Sequence, residues 1–473
     1  MSFIRYQRYG NQEYAYKITA YWDSKKQRSR QKTEYLGIVI NKEKKIFEKR
    51  AIKKYSEKLI LDFGDTYCIN QFLQNSGYYD IIKDVFGNFS DNIFALLLYR
   101  LCYSGAMMYA EKWFNGNYAK IIYKNANLSS QRISDLLRYL GDENLQRSFF
   151  SKYFKTFVKA DKSIIIDATS LPNQIHIPMT EWGRSGEEID KQIRFLLVVD
   201  KDTEYPLYFR ILPGNIIDVS AFKNTIIELK QYGVKNSFVF VDAGFFSEDN
   251  INDLYAENIN FLTRLPSGRT LYKDLIAKEA KDLESPRNIV KYGKKRGLFI
   301  KQIEVNLFGK KGFAYLVLDP QRKGRELNRL MLESDDDMLQ SNQFDYEFAT
   351  RGIMILVSSF ELSKNDVVPA YYVRQTVEML FGFSKDDLNI LPLRVHSEEV
   401  LRGFLFMQFI TLIAFIQLKK GLGKNYTVEE ALVSLRNLKC KIFEKEAIIS
   451  ELTKEQREIS EKLGIIVSKI LGI

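Results

Sequence analysis

Two apolar runs that each end in an aspartate constrain the fold of this chain more than any other feature. SIIID closes with Asp167, and SFVFVD closes with Asp242. Runs of this kind are typical of buried strands, where a carboxylate costs free energy unless it is paired or binds a cation. Because the carboxyl ends of neighbouring strands meet at one edge of an open α/β sheet, we expect the two aspartates to converge. The alternative is that each aspartate only caps the turn after its strand.

The segment that contains these runs alternates between strand and helix patterns. Strands are predicted for KSIIIDATS, IRFLLVVD, YPLYFRILPG, KNSFVFVDAGF and NFLTRLP, and helices for VSAFKNTIIELKQYG and SEDNINDLYAENI, the latter capped by Ser247. GIMILVSS at 352–359 predicts a further core strand. The predicted fold class is therefore α/β.

Pattern and composition divide the chain into six predicted segments. Residues 1–58 alternate aromatic or β-branched residues with basic ones, which predicts a basic β module. Residues 59–160 have helical periodicity and form a predicted DNA-binding and dimerisation region, with which a helix-turn-helix is compatible. Then follow a first core part (161–265), a mainly β insertion (266–350), a second core part (351–425) and a C-terminal helical region (426–473).

The net charge of the chain is +11, and most of it lies in the first segment. Residues 1–58 hold sixteen Lys and Arg against six Asp and Glu, a balance of +10. Such a basic module fits a nucleic-acid partner, and a solubilising face is the alternative. Tyr21 and Trp22 lie close to a set of cations that we expect to contact the DNA backbone, namely Lys25, Lys26, Arg28, Arg30 and Lys32.

The spacing of the cysteines and the length of the apolar runs argue against several classes of protein. Cys68, Cys102 and Cys440 are far apart and lack CxxC spacing, which argues against a disulfide framework or a zinc site and fits a cytoplasmic protein. The opening MSFIRYQRYG has no apolar segment of the signal-peptide kind. The longest apolar run, Gly403 to Leu418, is shorter than the ~20 residues of a membrane span, so we expect a buried core helix and no membrane partner.

Four polar residues of PAYYVRQTVEMLFGFSK form a stripe on one side of a predicted helix. Tyr371, Arg374, Glu378 and Lys385 fall within roughly 60° of one another at about 100° per residue. An ordinary solvated helix face is the alternative to a functional one. Gly382 lies before Lys385 and weakens the helix there. Together with Asp167 and Asp242, Glu378 completes a set of three carboxylates suited to two Mg²⁺ ions.

These motifs resemble those of the DDE transposases of bacterial insertion sequences, in the group marked by Y-x2-R-x3-E-x6-K. The signature residues here are Tyr371, Arg374, Glu378 and Lys385. IDATS, VFVDAGFFSEDNI, LRVHSEEVLRGFLFMQFI and the N-terminal YWDSKKQRSRQKTEYLG also resemble that group. The resemblance extends from about residue 14 to the C-terminus.

The resemblance implies a ribonuclease-H-like core, with Asp167, Asp242 and Glu378 as catalytic metal ligands for two Mg²⁺ ions, which Mn²⁺ could replace. Tyr371, Arg374 and Lys385 would contact phosphates of the transposon end. The implied reaction is cut-and-paste transposition on double-stranded DNA: cleavage at terminal inverted repeats, then attack of the freed 3′-hydroxyl on target DNA. A homodimer would synapse the two ends. The separation of 136 positions between Asp242 and Glu378 exceeds what one crossover needs and requires an insertion.

Several further residues, and the function itself, have more than one interpretation. Phe245, Phe246 and Trp182 are candidates for stacking on unpaired bases, with core packing as the alternative. His176 and His396 fit structural roles better than roles as ligands. A ribonuclease-H-fold nuclease that does not join DNA, and a catalytically silent DNA-binding protein, are the alternatives to a transposase.

Overall fold

The computed structural model of the 473-residue chain forms two compact units. It describes residues 2–10, 12–24, 26–49, 59–158, 161–173, 176–185, 188–215, 219–234, 236–241, 243–293, 296–333, 342–372, 395 and 397–473. The first unit comprises Met1–Leu59 with Ile442–Lys445, and the second comprises Ile60–Lys441 with Glu446–Ile473.

The first unit contains an antiparallel sheet of four strands in chain order. They are β1 (Ser2–Tyr9), β2 (Gln12–Asp23), β3 (Arg28–Asn41) and β4 (Ile46–Glu48). This confirms the strands predicted from the alternation of aromatic and basic residues. Of residues 2–49 that are described, only Ala15, Ile18 and Gly37 are buried, so the sheet has a very small core of its own.

The second unit begins with the predicted helical region. After β5 (Leu59–Asp62) come α1 (Gly64–Asn75), α2 (Tyr78–Phe86), α3 (Ser90–Cys102), α4 (Ala110–Asn115), α5 (Ala119–Ile122), α6 (Ser130–Leu140) and α7 (Glu143–Phe157). The apolar side chains that predicted α6 are buried on its inner side: Ile133, Leu136, Leu137 and Leu140. Asp142 caps α7 by accepting the N–H of Leu145.

A large mixed sheet follows and carries the candidate site. Its first elements are β6 (Asp161–Pro172), β7 (Glu181–Ser185), β8 (Glu188–Asp200), β9 (Pro206–Pro213), α8 (Val219–Gln231), β10 (Asn236–Val241), α9 (Glu248–Ala256) and β11 (Asn260–Arg264). Each of these strands and helices other than β7 lies where the sequence predicted one. Within the sheet the order is β9–β8–β6–β10–β11, antiparallel from β9 to β6 and parallel from β6 to β11.

The segment predicted as a mainly β insertion has a different character. It contains α10 (Thr270–Glu279), β12 (Ile289–Tyr292), β13 (Arg296–Leu307), β14 (Lys310–Leu318), α11 (Pro320–Glu333) and α12 (Asn342–Thr350). Its strands continue the large sheet in the order β12–β13–β14–β15–β11, where β15 is Ile353–Ser358. The prediction was wrong in composition, because helices occupy much of the segment. The strands join the core sheet because fully buried β15 accepts partners on both edges.

Beyond α13 (Lys364–Tyr372), the described chain contains α14 (Glu398–Leu422), α15 (Val428–Arg436), β16 (Lys439–Ile442), β17 (Glu446–Ile449), α16 (Lys454–Lys462) and β18 (Ile470–Gly472). The C-terminal segment was predicted to be helical, which is only partly right. Its strands form a small sheet in the order β18–β17–β16–β5. They are too short to show a clear alternation, and β5 lies far away in sequence.

The apolar run at Gly403–Leu418 forms the middle of α14, as predicted, and is buried in the second unit. Phe406 contacts Phe149 of α7 and Phe209 of β9, with ring centroids 5.2 and 6.0 Å apart. By length and composition alone α14 could cross a membrane, but 78% of its most apolar window is buried inside the protein. The helices from Tyr78 to Asn115 meet that criterion only across a bend of 111°.

Candidate functional site

Asp167 lies in the middle of the large sheet. It follows Ile166 on β6 and pairs with Leu197 of β8. Asp167 is only 9% exposed, and its Oδ1 accepts the N–H of Ala168 at 3.0 Å. One oxygen of the carboxylate is therefore held by the backbone N–H of the next residue on the same strand.

The parallel pairing of β6 with β10 relates the two predicted aspartates. The last described pair in this register is Phe240 with Ile165. Asp167 is two residues beyond Ile165, and Asp242 is two residues beyond Phe240 in the sequence. Asp242 itself lies outside the described residues, so its convergence with Asp167 stays a prediction.

The strand predicted as KSIIIDATS is confirmed and extends slightly further. β6 continues past Asp167 to Pro172, paired with β8 as far as Gln192. The continuation is possible because the residues after Asp167 are short or β-branched and accept the sheet geometry. No turn follows Asp167, so it does not cap one.

Asp200 shows what a turn-capping aspartate looks like in this sheet. It ends β8 after an equally apolar run, which the sequence analysis did not single out. Its Oδ1 accepts the N–H groups of Asp202 and Thr203 at 2.9 and 2.8 Å. The two buried carboxylates thus differ in role, and only the path of the chain after each residue distinguishes them.

The two phenylalanines that follow β10 face different surroundings. Phe246 is 3% exposed and packs against Phe308, with ring centroids 5.7 Å apart. Arg269 donates to the Phe246 carbonyl oxygen at 2.9 Å, which ties this turn to the segment after β11. Phe245 is half-buried, and its carbonyl accepts the side-chain amide of Asn250. Core packing therefore accounts for Phe246 in this structure, and base stacking stays a prediction for both residues.

Trp182 is prominently exposed. It lies on β7, pairs with Lys191 of β8 and is 59% exposed. The Lys191 Nζ lies 5.8 Å from the centre of the indole ring, within the range of a cation–π contact. An aromatic ring beside an ammonium group on an exposed hairpin has the chemistry for stacking on a base, and this role remains predicted.

Of the polar stripe, the structure describes Tyr371 alone. It lies near the end of α13, is 7% exposed and belongs to the apolar core. Its ring lies 5.9 Å from that of Tyr372, which in turn lies 6.1 Å from Tyr292. Arg374, Glu378 and Lys385 lie outside the described residues, so the stripe itself stays a prediction. His396 also lies outside them, and His176 is exposed.

The basic residues of the first unit cluster at the β2–β3 turn. Lys26 lies in the turn, and Arg28, Arg30 and Lys32 lie on β3. Arg30 forms an ion pair with Asp23, with Nε and Oδ2 3.5 Å apart. Lys25 lies outside the described residues. Tyr21 and Trp22 are 47% and 63% exposed, so their rings are accessible beside these cations.

Metal-binding chemistry in the described part of the chain is limited. Among those residues, no group of three or more His, Cys, Asp and Glu side chains could hold an ion. Two of the three predicted ligands fall outside that part, so this leaves the predicted set untested. The three cysteines are buried and free, and burial raises the pKa of the Cys68 and Cys440 thiols to about 12. Thiolate ligation is therefore unfavourable at neutral pH.

An open groove of about 970 Å³ between α7, α8 and β9 gathers cations that the sequence analysis missed. Arg147, Lys152 and Lys155 come from α7, and Arg210 comes from β9. Arg210 pairs with Glu228 at 2.6 Å, and Lys152 pairs with Asp84 at 2.5 Å. The spacing of Arg147 and Lys155 along α7 could have indicated a basic helix face from the sequence. The position of Arg210 of β9 beside that face could not be predicted, because it depends on tertiary packing.

Comparison with known proteins assigns the sequence to a family. The model of the transposase DDE domain matches residues 159–414, which are 256 of the 473 residues. The match includes Asp167, Asp242 and all four stripe residues. No curated protein matches the chain.

Solved structures with some similarity include two transposase systems. A piggyBac transposase synaptic complex with hairpin DNA has a TM-score of 0.42 and 11% identity over 79% of each chain. A Mos1 mariner paired-end complex with Mn has a TM-score of 0.15 and 9% identity, over 33% of this chain and 54% of that one. Similarity at this level says nothing about activity. The family match spans more than half of the sequence, and on that basis the chain belongs to the transposase DDE domain family.

Proposed function

We propose that this protein is a cut-and-paste DNA transposase of the bacterial insertion-sequence group with the Y-x2-R-x3-E-x6-K signature. The observation that carries the proposal is the placement of Asp167. It is a carboxylate inside an apolar strand, two residues past the last described β6–β10 pair, with no turn to cap. Asp200 accepts two N–H groups of the turn that follows it, whereas Asp167 lies within a strand, a position that suits a ligand-binding role.

The catalytic core, on this proposal, is ribonuclease-H-like and consists of β9–β8–β6–β10–β11 with helices α8 and α9. This part of the sheet lies within the family match and carries Asp167. β6 and β10 are parallel neighbours, so beyond their last described pair, Ile165 with Phe240, both strands run toward the same edge of the sheet, where open α/β sheets generally bind ligands. The strands β12–β14 extend the same sheet from the far side of β15.

Asp167, Asp242 and Glu378 are the proposed ligands of two Mg²⁺ ions, which Mn²⁺ could replace. Their oxygen donors suit a hard cation, and a buried carboxylate such as Asp167 needs positive charge nearby. Bound Mg²⁺ would stabilise negative charge on the attacking and leaving oxygens of a phosphodiester displacement. The Ala168 N–H donates to the Asp167 Oδ1 and so restrains the orientation of the carboxylate.

The proposed substrate is double-stranded DNA that carries the terminal inverted repeats of the element, followed by target DNA. Arg374 and Lys385 would position phosphates, and the N-terminal basic sheet would bind the duplex. The phosphate contact predicted for Tyr371 does not fit its burial in the apolar core, where the residue is 7% exposed. A homodimer would bring two ends together, and the protein would act in the cytoplasm of a prokaryote. Cleavage frees a 3′-hydroxyl, which then attacks a phosphorus atom of the target and releases the target's own 3′-oxygen.

The test uses duplexes that cover the DNA flanking the gene, incubated with the full-length protein and Mg²⁺. We expect cleavage and joined products from the wild type, and neither from Asp167→Asn. Asp190→Asn is the matched control, because Asp190 is an exposed carboxylate on the same sheet that likewise accepts the next N–H, that of Lys191. Normal cleavage by Asp167→Asn would refute the site assignment.

The same assay separates the alternatives. Cleavage without joined products identifies a nuclease, and binding without cleavage identifies a silent DNA-binding protein. Glu378→Gln is expected to abolish cleavage and to leave binding of the duplex end within about twofold of wild type, since the substitution removes one charge from a metal ligand but keeps the side chain's size. If Glu378→Gln cleaves normally with Mg²⁺, Glu378 is not a ligand.

A further inference from the structure

The hairpin of β2 and β3 extends beyond its neighbours in the N-terminal sheet. Within the described residues, β1 begins opposite Thr19, and β4 pairs with β3 only from Ile38 onward. β2 and β3 nevertheless stay paired as far as Asp23 with Arg28. The last four pairs, Ala20–Asp23 with Arg28–Gln31, therefore form a two-stranded ribbon about 13 Å long at ~3.4 Å per residue.

The ribbon and the residues next to it have two chemically different faces. The sequence RSRQKT from Arg28 to Thr33 alternates cationic and neutral residues, and alternate residues of a strand point to opposite faces. One face carries every cation of this stretch, and Tyr21 joins it as the cross-strand partner of Arg30. Asp23, the partner of Arg28, lies on the same face and pairs with the Arg30 Nε. The opposite face of β3 carries only neutral side chains. The residues of the cationic face are Arg28, Arg30 and Lys32, and those of the neutral face are Ser29, Gln31 and Thr33.

Packing explains the neutral face only next to the ribbon, where Thr33 pairs with buried Ile18. None of the described ribbon residues is buried, and the buried residues of the sheet, Ala15, Ile18 and Gly37, lie outside the ribbon. A projecting strand pair without a core gains little stability from folding alone. A surface with exposed aromatic rings and with cations on one face is suited to bind a nucleic acid. The cations can contact phosphates, and the rings can stack on bases.

We propose that this ribbon enters the major groove of duplex DNA with its Arg28–Arg30–Lys32 face turned toward the base edges and phosphates. A two-stranded ribbon fits the major groove, which is about 12 Å wide, but not the minor groove of about 6 Å. Successive cations on one strand face lie about 6.8 Å apart, which corresponds to two base-pair steps of about 3.4 Å. Arginine at this spacing can donate two hydrogen bonds to guanine O6 and N7. This inference rests on the proposed DNA substrate. It adds that the β2–β3 ribbon binds the DNA, that its cationic face makes the contact and that the contact lies in the major groove.

The first experiment exchanges the two faces without changing composition or net charge. In the full-length protein, Arg28→Ser with Ser29→Arg, Arg30→Gln with Gln31→Arg, and Lys32→Thr with Thr33→Lys move every cation to the neutral face. Affinity for short duplexes from the DNA flanking the gene is compared with that of the wild type by fluorescence anisotropy. We expect the exchanged variant to bind at least tenfold more weakly, because the cations then point away from the groove.

Neutralisation provides the matched comparison. Arg28→Gln with Arg30→Gln and Lys32→Gln should weaken binding about as much as the exchange does. If the exchanged variant binds like the wild type while the neutralised one does not, the ribbon attracts DNA by charge alone and the groove assignment is wrong. Far-ultraviolet circular dichroism checks that both variants retain the wild-type fold.

The second experiment leaves the protein unchanged. Duplexes in which 7-deazaguanine replaces guanine lose the N7 acceptor in the major groove but keep the backbone and the minor groove. Wild-type affinity should fall about fivefold or more on these duplexes, and the face-exchanged variant should show no such difference. Equal binding of both duplexes by the wild type would overturn the inference.

The outcomes also separate this inference from the proposed function. Cleavage by a face-exchanged variant that still binds normally would keep the transposase and discard the ribbon. Failure of the wild type to bind any flanking duplex would discard both. Duplex RNA of the same sequence is a further control, because its deep, narrow major groove should exclude the ribbon.

Discussion

Buried carboxylates show how much the role of one residue depends on its surroundings. Asp200 caps a turn, and Asp167 lies inside a continuing strand. Asp65, at the start of α1, is 1% exposed and lies beside Arg436, with Oδ2 and Nε 3.6 Å apart. An apolar run followed by Asp looks the same at residues 167 and 200. The sequence pattern alone therefore does not distinguish the roles of these two carboxylates.

The first prediction at this scale concerns the pH dependence of stability. Burial raises the pKa of Asp65 above its ordinary value, against the opposing effects of the Thr66 N–H and of Arg436. Because the folded state binds this proton more tightly than the unfolded chain, the group stabilises the fold below its unfolded-state pKa. That contribution is lost as the pH rises through the folded-state pKa.

Asp65→Asn should remove this contribution and change the free energy of unfolding at neutral pH by less than about 1 kcal/mol, because Asn still accepts the Thr66 N–H and Arg436 is partly exposed. Urea unfolding of both proteins from about pH 4 to pH 7 measures the difference. A loss above about 3 kcal/mol at neutral pH would mean that the ion pair outweighs the cost of burial.

At the scale of secondary structure elements, local patterns were reliable where they were long. The strands β6, β8, β9, β10, β11 and β15 and the helices α6, α8, α9 and α14 lie where their apolar periodicity predicted them. Membership of a sheet was not predictable, because pairing partners such as β14 and β15 are chosen by tertiary contacts. The short C-terminal strands were missed for the same reason.

The close approach of α6 and α14 yields the second prediction. A Cβ built on Gly403 would collide with the Leu137 carbonyl oxygen and lie 2.6 Å from its carbon. Gly403→Ala should therefore push the helices apart and destabilise the protein by about 2–4 kcal/mol. Gly324→Ala is the control, since Gly324 lies within α11 and a Cβ there meets nothing within 4 Å.

The control should stabilise the protein by about 0.5–1 kcal/mol, because alanine has the higher helix propensity. Thermal and urea unfolding of the two variants should thus shift in opposite directions from the wild type. Equal shifts would show that α6 and α14 move apart freely, and that the close contact at Gly403 contributes little to stability.

At the scale of the whole molecule, the division into two units separates a charged surface from a large core. The continuous apolar core runs through the second unit and includes no residue of the N-terminal sheet. The first unit carries most of the net charge of the chain. The second unit therefore supplies most of the stability of the protein, and the first unit supplies most of its electrostatic attraction for a polyanion.

Deletion of residues 1–58 is expected to weaken DNA binding and to reduce its dependence on salt, because each lost phosphate contact lowers the slope of log affinity against log salt by about 0.9. The melting temperature of the remainder should change little, since its core is intact. Titrations at several salt concentrations measure the slope. An unchanged slope would assign the N-terminal sheet to packing or oligomerisation.

The sequence by itself determined the α/β class, the position of most core elements, the concentration of charge in residues 1–58 and the choice of Asp167, Asp242 and Glu378 as candidates. These follow from periodicity, composition and motif spacing, which are local properties of the chain. Tertiary structure decided that β12–β14 extend the core sheet and that Tyr371 is buried. It also decided that the cations of β3 share one face of a projecting ribbon. These features depend on strand pairing and packing between residues far apart in sequence, and the sequence pattern does not specify those partners.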